Sequence, residues 1–231
     1  MTKEHFSIAQ IPQVNYLIYL VKWLLMAVLI GIIIGSVTAF FLSSLNWLTD
    51  WRESHIWIIA LLPLGGLLIG FTYYYFGASV VKGNNLLLEE FHSPRQIIPL
   101  KMAPLVLLGT LVTHLFGGSA GREGTAVQMG GAIADQFTKF LRLKDSDRKI
   151  ILVMGISAGF AAVFGTPLAG AIFALEVLVL GRIRYEAILP SFLVAVIANY
   201  TCKAWEVVHT KYTIPFVPKL DAQNLMWTIL A

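Results

Sequence analysis

Of the chain's 231 residues, 57% are apolar and only 13% charged, with a mean hydropathy of +0.74, whereas soluble domains carry roughly 25% charged residues. That balance excludes an ordinary soluble enzyme and calls for an integral membrane protein. The formal charge of +4 and pI near 9.2 do not make a nucleic-acid surface, because the basic residues sit in short segments between apolar runs, as the positive-inside rule distributes them.

Residues 1–14 are polar and read as a short cytoplasmic segment, with Pro12 near its end. The longest apolar run, 17–48, exceeds the roughly 20 residues that cross a bilayer and must tilt or bend. Within it, Gly31 and Gly35 form a small-xxx-small pair that admits a close helix neighbour. Trp47, Asp50, Trp51, Arg52 and Glu53 then mark an aqueous interface. A second span covers 56–76, with Pro63, Gly65 and Gly66 in its early turns.

Gly83-Asn84-Asn85 opens a segment too short to span, in which small polar residues precede Glu89 and Glu90, the pattern of a helix start. A third long segment, 102–116, feeds directly into GGSAGREGTAVQMGG, residues 117–131. From Glu123 to about Phe140 the apolar period is helical but diluted by Gln128, Gly130, Gly131 and Asp135, which suits a helix buried among others. Residues 139–149 form the most basic loop, with five Lys or Arg against two Asp. Two apolar helices, 150–164 and 168–180, follow, broken at Gly165-Thr166-Pro167. Gly181-Arg182-Ile183-Arg184 makes a second basic loop, 187–204 the last clear span, and 206–231 a tail that ends within an apolar run. Counting crossings from a cytoplasmic N-terminus puts loops 77–101, 139–149 and 181–185 inside.

The chemistry concentrates at Gly121-Arg122-Glu123-Gly124-Thr125. Bare glycines let N–H groups at a helix start point at an anion, and the helix dipole favours negative charge there. Glu123 is itself an anion at that spot, so its carboxylate can occupy the place of a dissolved anion, and protonation weakens its hold. An intramembrane charge is a functional residue by default; the plainer alternative is an Arg122–Glu123 ion pair at a glycine-rich turn. Gly83-Asn84-Asn85 favours the first reading, because two broken helices with N-termini at membrane depth are the pattern of a midplane anion site. Asn84 also suits a plain helix cap, a role compatible with that site. Glu176 reads equally as a lining of a proton path or as a structural acid, His114 as a satisfied packing histidine, and Phe160, Phe164 and Phe173 as core.

GGSAGREGT, then AVQMGGAIADQF, then GISAGFAAVFGTPLAGAIFALEV closely resemble the CLC family of anion channels and proton-coupled anion antiporters. The resemblance implies an all-α integral membrane fold of the CLC type, in which residues 15–205 form one inverted-topology repeat with broken, re-entrant helices. It implies that Glu123 is the gating and proton-coupling residue. Gly83, Asn84, Asn85, Gly121, Arg122, Gly124 and Thr125 would then line the anion site. Asn84 stands where chloride-handling members carry serine, Thr125 where they carry proline, and Val177 where proton-coupled chloride exchangers carry an internal glutamate. That combination is similar to the fluoride-exporting branch, and an Asn amide offers two N–H donors to a strongly hydrated anion where serine offers one.

The expectation is therefore a fluoride/proton antiporter, not an enzyme, without cofactor or metal. Its transported partners are fluoride, or chloride, and protons; it lies in the plasma membrane bilayer, is a homodimer when full-length, and has no nucleic-acid partner. The family's path needs elements of two repeats and this sequence resembles the first, so a missing second repeat is expected, by truncation or as a separate chain. A chloride channel or exchanger and a non-transporting membrane fragment are the alternatives.

Overall fold

The computed structural model describes residues 12–178, 185–207 and 221–230, and within them the side chains of 16–178, 185–207, 221 and 224–228. The described residues are helical, with no strand among them. Three stretches are long and apolar enough to cross a membrane: Tyr16–Ser54, Ile56–Phe76 and Tyr185–Ala204.

Helix α1, Pro12–Ser54, runs for 43 residues, about 65 Å at 1.5 Å per residue and twice the roughly 30 Å of a bilayer core. It is longer than the apolar run at both ends. Pro12 opens it at the first position, where a missing N–H costs nothing, and the polar segment 49–54 continues it rather than ending it. There Arg52 Nη1 donates to the carbonyl of His114 at 3.0 Å, and Trp51 stacks on His55 at 4.2 Å. The second span is a 3-10 turn, Ile56–Leu61, followed by α2, Leu62–Phe76, with Pro63 in the first turn of α2.

Three shorter elements follow: α3, Asn84–His92; α4, Met102–Leu115; and α5, Arg122–Phe140. Then come α6, Asp145–Phe164, and α7, Pro167–Val177, separated at Gly165, whose left-handed backbone (φ 72°) ends α6. The basic loop is shorter than the sequence suggests. Asp145 and Asp147 favour the positive end of a helix, so 145–149 form the first turn of α6 and only 141–144 connect the helices. Helix α8, Tyr185–Ala204, and α9, Ala222–Leu230, complete the described chain. The segment Gly181-Arg182-Ile183-Arg184 lies outside the described residues, as do residues 1–11 and the first half of the tail.

Helix α6 is the axis of the bundle. Every residue from Ile150 to Gly159 is buried, as befits a helix apolar all round, and α1, α5, α7 and α8 pack around it. Without a hydrophobic force between helices in lipid, close approach of backbones does much of the holding. A Cβ on Gly130 of α5 would strike the Gly155 carbonyl of α6, and one on Gly159 the Ala126 carbonyl of α5. Gly31 and Gly35 play the part their spacing predicts, with α8 as the neighbour: a Cβ on Gly35 would lie 2.6 Å from the Ala198 carbonyl.

One buried ionic clasp fixes α3 in this frame. Arg148 of α6 meets Asp135 of α5 at 2.7 and 2.8 Å and Glu90 of α3 at 3.2 Å. The three side chains are only 4%, 0% and 5% exposed. The carboxylates are further satisfied by N–H groups of Arg95, Gln96 and Ile98, and Arg148 donates to the Gln96 carbonyl. Leu87 of α3 also lies against bare Gly131 of α5.

Removing one partner of such a group strands the others. Arg148→Met is expected to destabilise the fold by about 3 to 5 kcal/mol, read as a lower unfolding temperature and loss of monodisperse protein in detergent, with Arg148→Lys intermediate. Gly130→Ala should disrupt the α5–α6 contact to a similar extent on the same measurement. Gly66→Ala, where a Cβ meets nothing within 4 Å, should fold as the parent does.

Candidate functional site

The clasp and the Leu87–Gly131 contact bring the N-terminus of α3 beside that of α5. Both starts are bare. Gly83 caps α3 with φ +55°, a conformation that favours glycine, and Gly121 caps α5; neither makes a side-chain cap hydrogen bond. At α3 the N–H groups of Asn85 and Leu86 bond back to the carbonyls of Lys82 and Gly83. At α5 the N–H groups of Arg122, Glu123 and Gly124 make no such turn bond among the described residues. They are the orphan donors of a helix start, which suit an anion.

Between the two starts lies a cleft of about 140 Å³. Its polar lining is Asn84 and Glu123, with Gly124 between them, and its apolar walls include Leu87, Ile156, Phe173 and Val177. Asn84 Nδ2 lies 3.6 Å from the point that a Cβ on Gly124 would occupy, so the amide of α3 faces bare backbone of α5. The Glu123 side chain is exposed and makes no hydrogen bond or ion pair among the described residues.

The Arg122–Glu123 ion pair, the plainer alternative for this turn, is not formed. Successive helix positions do not face each other, and among the described residues each of the two side chains is free of the other. Arg122 is half-buried and off the cleft. Thr125 is buried with its hydroxyl turned into the protein, 2.6 Å from the Thr110 hydroxyl and 3.1 Å from the Gly121 carbonyl. It ties the first turn of α5 to α4 and does not line the cleft. Gly83 stands just before Asn84 with the Gln128 amide against it; Asn84 and Asn85 are both exposed, Asn84 lining the cleft and Asn85 off it. Glu176 is also exposed and off the cleft, while its neighbour Val177 lines it. His114 bonds the Thr110 carbonyl of its own helix at 3.0 Å, a satisfied packing role.

Sequence reasoning left aside one residue that walls the cleft and one that stands behind Gly124, outside its lining. Phe173, read as core, is half-buried, stacks on Phe160 at 4.3 Å and forms a wall of the cleft. Gln128, noted only as diluting the apolar pattern, is half-buried with its amide against Gly83. Its spacing from Gly124, one helical turn, was the available signal.

The family description Voltage gated chloride channel matches residues 65–231. A chloride/fluoride channel protein of Pseudomonas syringae pv. tomato is 52% identical over 219 residues, 95% of this chain and 48% of that protein. An H(+)/Cl(-) exchange transporter ClcA of Vibrio campbellii is 28% identical over 224 residues, 90% of this chain and 47% of that one. Among solved structures, a CLC-type fluoride/proton antiporter superposes with a TM-score of 0.79 at 35% identity, covering 91% of this chain and 53% of its own. A slow cyanobacterial Cl-/H+ antiporter, at 22% identity and TM-score 0.71, shares the fold; the match covers 90% of this chain and 52% of that one. The chain spans about half the length of the curated relatives it matches.

Proposed function

The chain belongs to the voltage-gated chloride channel family, the CLC family, and from that premise we propose that it supplies the gate of a fluoride/proton antiporter. The single observation that carries the reading is the meeting of Asn84 and Glu123 across bare Gly124, at two helix starts capped by glycine, with the first N–H groups of α5 unspent. The names of two relatives support the choice of ion: one is a chloride/fluoride channel protein and one a CLC-type fluoride/proton antiporter.

The gate works by competition. The Glu123 carboxylate and a fluoride ion are alternative occupants of the same N–H donors, and each is held by charge and hydrogen bonds. When Glu123 takes up a proton it loses that hold, leaves the donors to fluoride and carries the proton. Returning, it releases the proton to the other side and displaces the anion. Fluoride gives up more hydration than chloride on entering such a site. The two N–H donors of the Asn84 amide replace more of what is lost than a single hydroxyl would.

Chloride exchange is the second reading, favoured by the relatives named as H(+)/Cl(-) exchange transporters. The residue that speaks against it is Val177, which stands on the cleft wall at the position where the resemblance places the internal glutamate of proton-coupled chloride exchangers. In this proposal the site lies in a plasma membrane with the N-terminus cytoplasmic, and residues 15–205 act as one repeat of a two-repeat, homodimeric assembly.

Two outcomes test the reading. Liposomes reconstituted with the assembly that contains this chain, loaded with fluoride or chloride and followed with ion-selective electrodes, should release fluoride faster; faster chloride release overturns the assignment, and release of neither ion leaves only a non-transporting fragment. Glu123→Gln should abolish or uncouple fluoride-driven proton uptake, recorded with a pH electrode. Proton uptake that stays coupled as in the parent removes Glu123 from the gate.

A further inference from the structure

We propose that Gln128 is a specificity-determining ligand of the transported anion, acting with Asn84 as the second half of a two-amide donor set around Gly124. The inference rests on the reading of this cleft as the anion site and adds to it a residue from deeper in α5.

Three observations carry it. First, the two amides converge: Asn84 Nδ2 and Gln128 Nε2 lie 3.6 and 3.9 Å from the same methyl-sized point on Gly124. They reach it from different helices. Second, Gln128 sits in the angle between the helix starts, because its Nε2 and Oε1 lie 3.4 and 3.5 Å from the position of a Cβ on Gly83. Glycine at both positions is what leaves room for the amides. Third, Gln128 is partly buried as a residue, but its amide is not one of the buried unpaired groups and makes no hydrogen bond among the described residues. Gln136, two turns further along α5, shows the contrast: its Nε2 donates to the carbonyls of Ile98 and Ala132, both at 2.8 Å.

An amide that is open and spends no donor on the protein is free to give both N–H groups to water or to a ligand. An acceptor beside Gly124 would meet N–H groups from Asn84 and Gln128 together with those at the start of α5. Such a set suits a small anion that must replace a tight hydration shell, and it suits a large, weakly hydrated one less. The same donors are open to the Glu123 carboxylate, so Gln128 bears on the gate's resting position as well as on selectivity.

The test compares Gln128→Leu, which approximates the shape and removes the donors, with Gln128→Glu, which keeps the shape and adds a negative charge. Binding of sodium fluoride and sodium chloride to the detergent-solubilised protein is measured by titration calorimetry, and folding by thermal unfolding. Gln128→Leu should raise the fluoride Kd about tenfold, raise the chloride Kd less, and leave the unfolding temperature near that of the parent, since no protein hydrogen bond is lost. Gln128→Glu should weaken fluoride further. A fluoride Kd for Gln128→Leu within about twofold of the parent, or an equal loss for both anions, overturns the inference. A parent protein that binds chloride more tightly than fluoride overturns the fluoride reading instead, and the inference with it only if Gln128→Leu leaves both Kd values unchanged.

Discussion

A single guanidinium holds the two helix starts in register. Arg148 reaches from α6 to Asp135 on α5 and Glu90 on α3, at the point where the chain between α3 and α4 also lends its N–H groups. Two carboxylates and one cation, all nearly inaccessible, persist only when their remaining lone pairs and protons are met. Here backbone N–H groups, the Thr138 hydroxyl and the Gln96 carbonyl meet them. Helix α3 is nine residues long and too short to hold itself. The clasp at one end and Leu87 against Gly131 along its side set where Asn84 stands.

Close packing runs through the bundle, although not every buried polar group in it is met: Trp23 Nε1, Thr38 Oγ1 and Asn199 Oδ1 have no partner among the described residues. Glycine pairs let α5 approach α6, and α1 approach α8, until backbone meets backbone. Some hydroxyls are used internally: Ser157 donates to the Ser191 carbonyl at 2.9 Å and Thr110 meets Thr125. Against that background, the uncapped start of α5 and the amides of Asn84 and Gln128 are donors in excess. Asn84 and Glu123 are exposed, so these donors are open to an incoming acceptor. Their concentration in one place is the reason to seat the proposed function in this cleft rather than in the larger shallow grooves on the outer surface.

What the sequence reveals and what it hides divide along a physical line. Local signals were legible: the break at Gly165-Thr166-Pro167, the helix starts at Gly83 and Gly121, and the close approach at Gly31 and Gly35. Each is written in neighbouring residues through φ preference, missing N–H groups or absent side chains. The clasp was not legible, because Glu90 and Arg148 are separated by 58 positions and nothing in either local pattern names the other. Buried acids in an apolar chain advertise that a partner exists but not which one. The reach of α1 past its apolar run was missed because polar residues are no helix breakers; its end is set by His55 and the turn beyond. Phe173 and Gln128 were hidden by ordinariness, since an aromatic and a lone amide in helices read first as packing.

The exposure of Glu123 bears on how the proposed gate would move. A carboxylate locked by an arginine, as Asp135 is, cannot respond to one proton or one competing ion without a loss of several kcal/mol. Glu123 makes no such bond to Arg122 or to any other described side chain. A helix start attracts a carboxylate by on the order of 0.3 to 2 kcal/mol, at most a few multiples of RT, which lies within reach of protonation or anion competition. Helix α5 thus carries one carboxylate that is immovable and another that is free. Asp135 is locked in its later turns and Glu123 stands in its first turn, so the residue that fixes the frame and the residue proposed to move within it belong to the same rigid element.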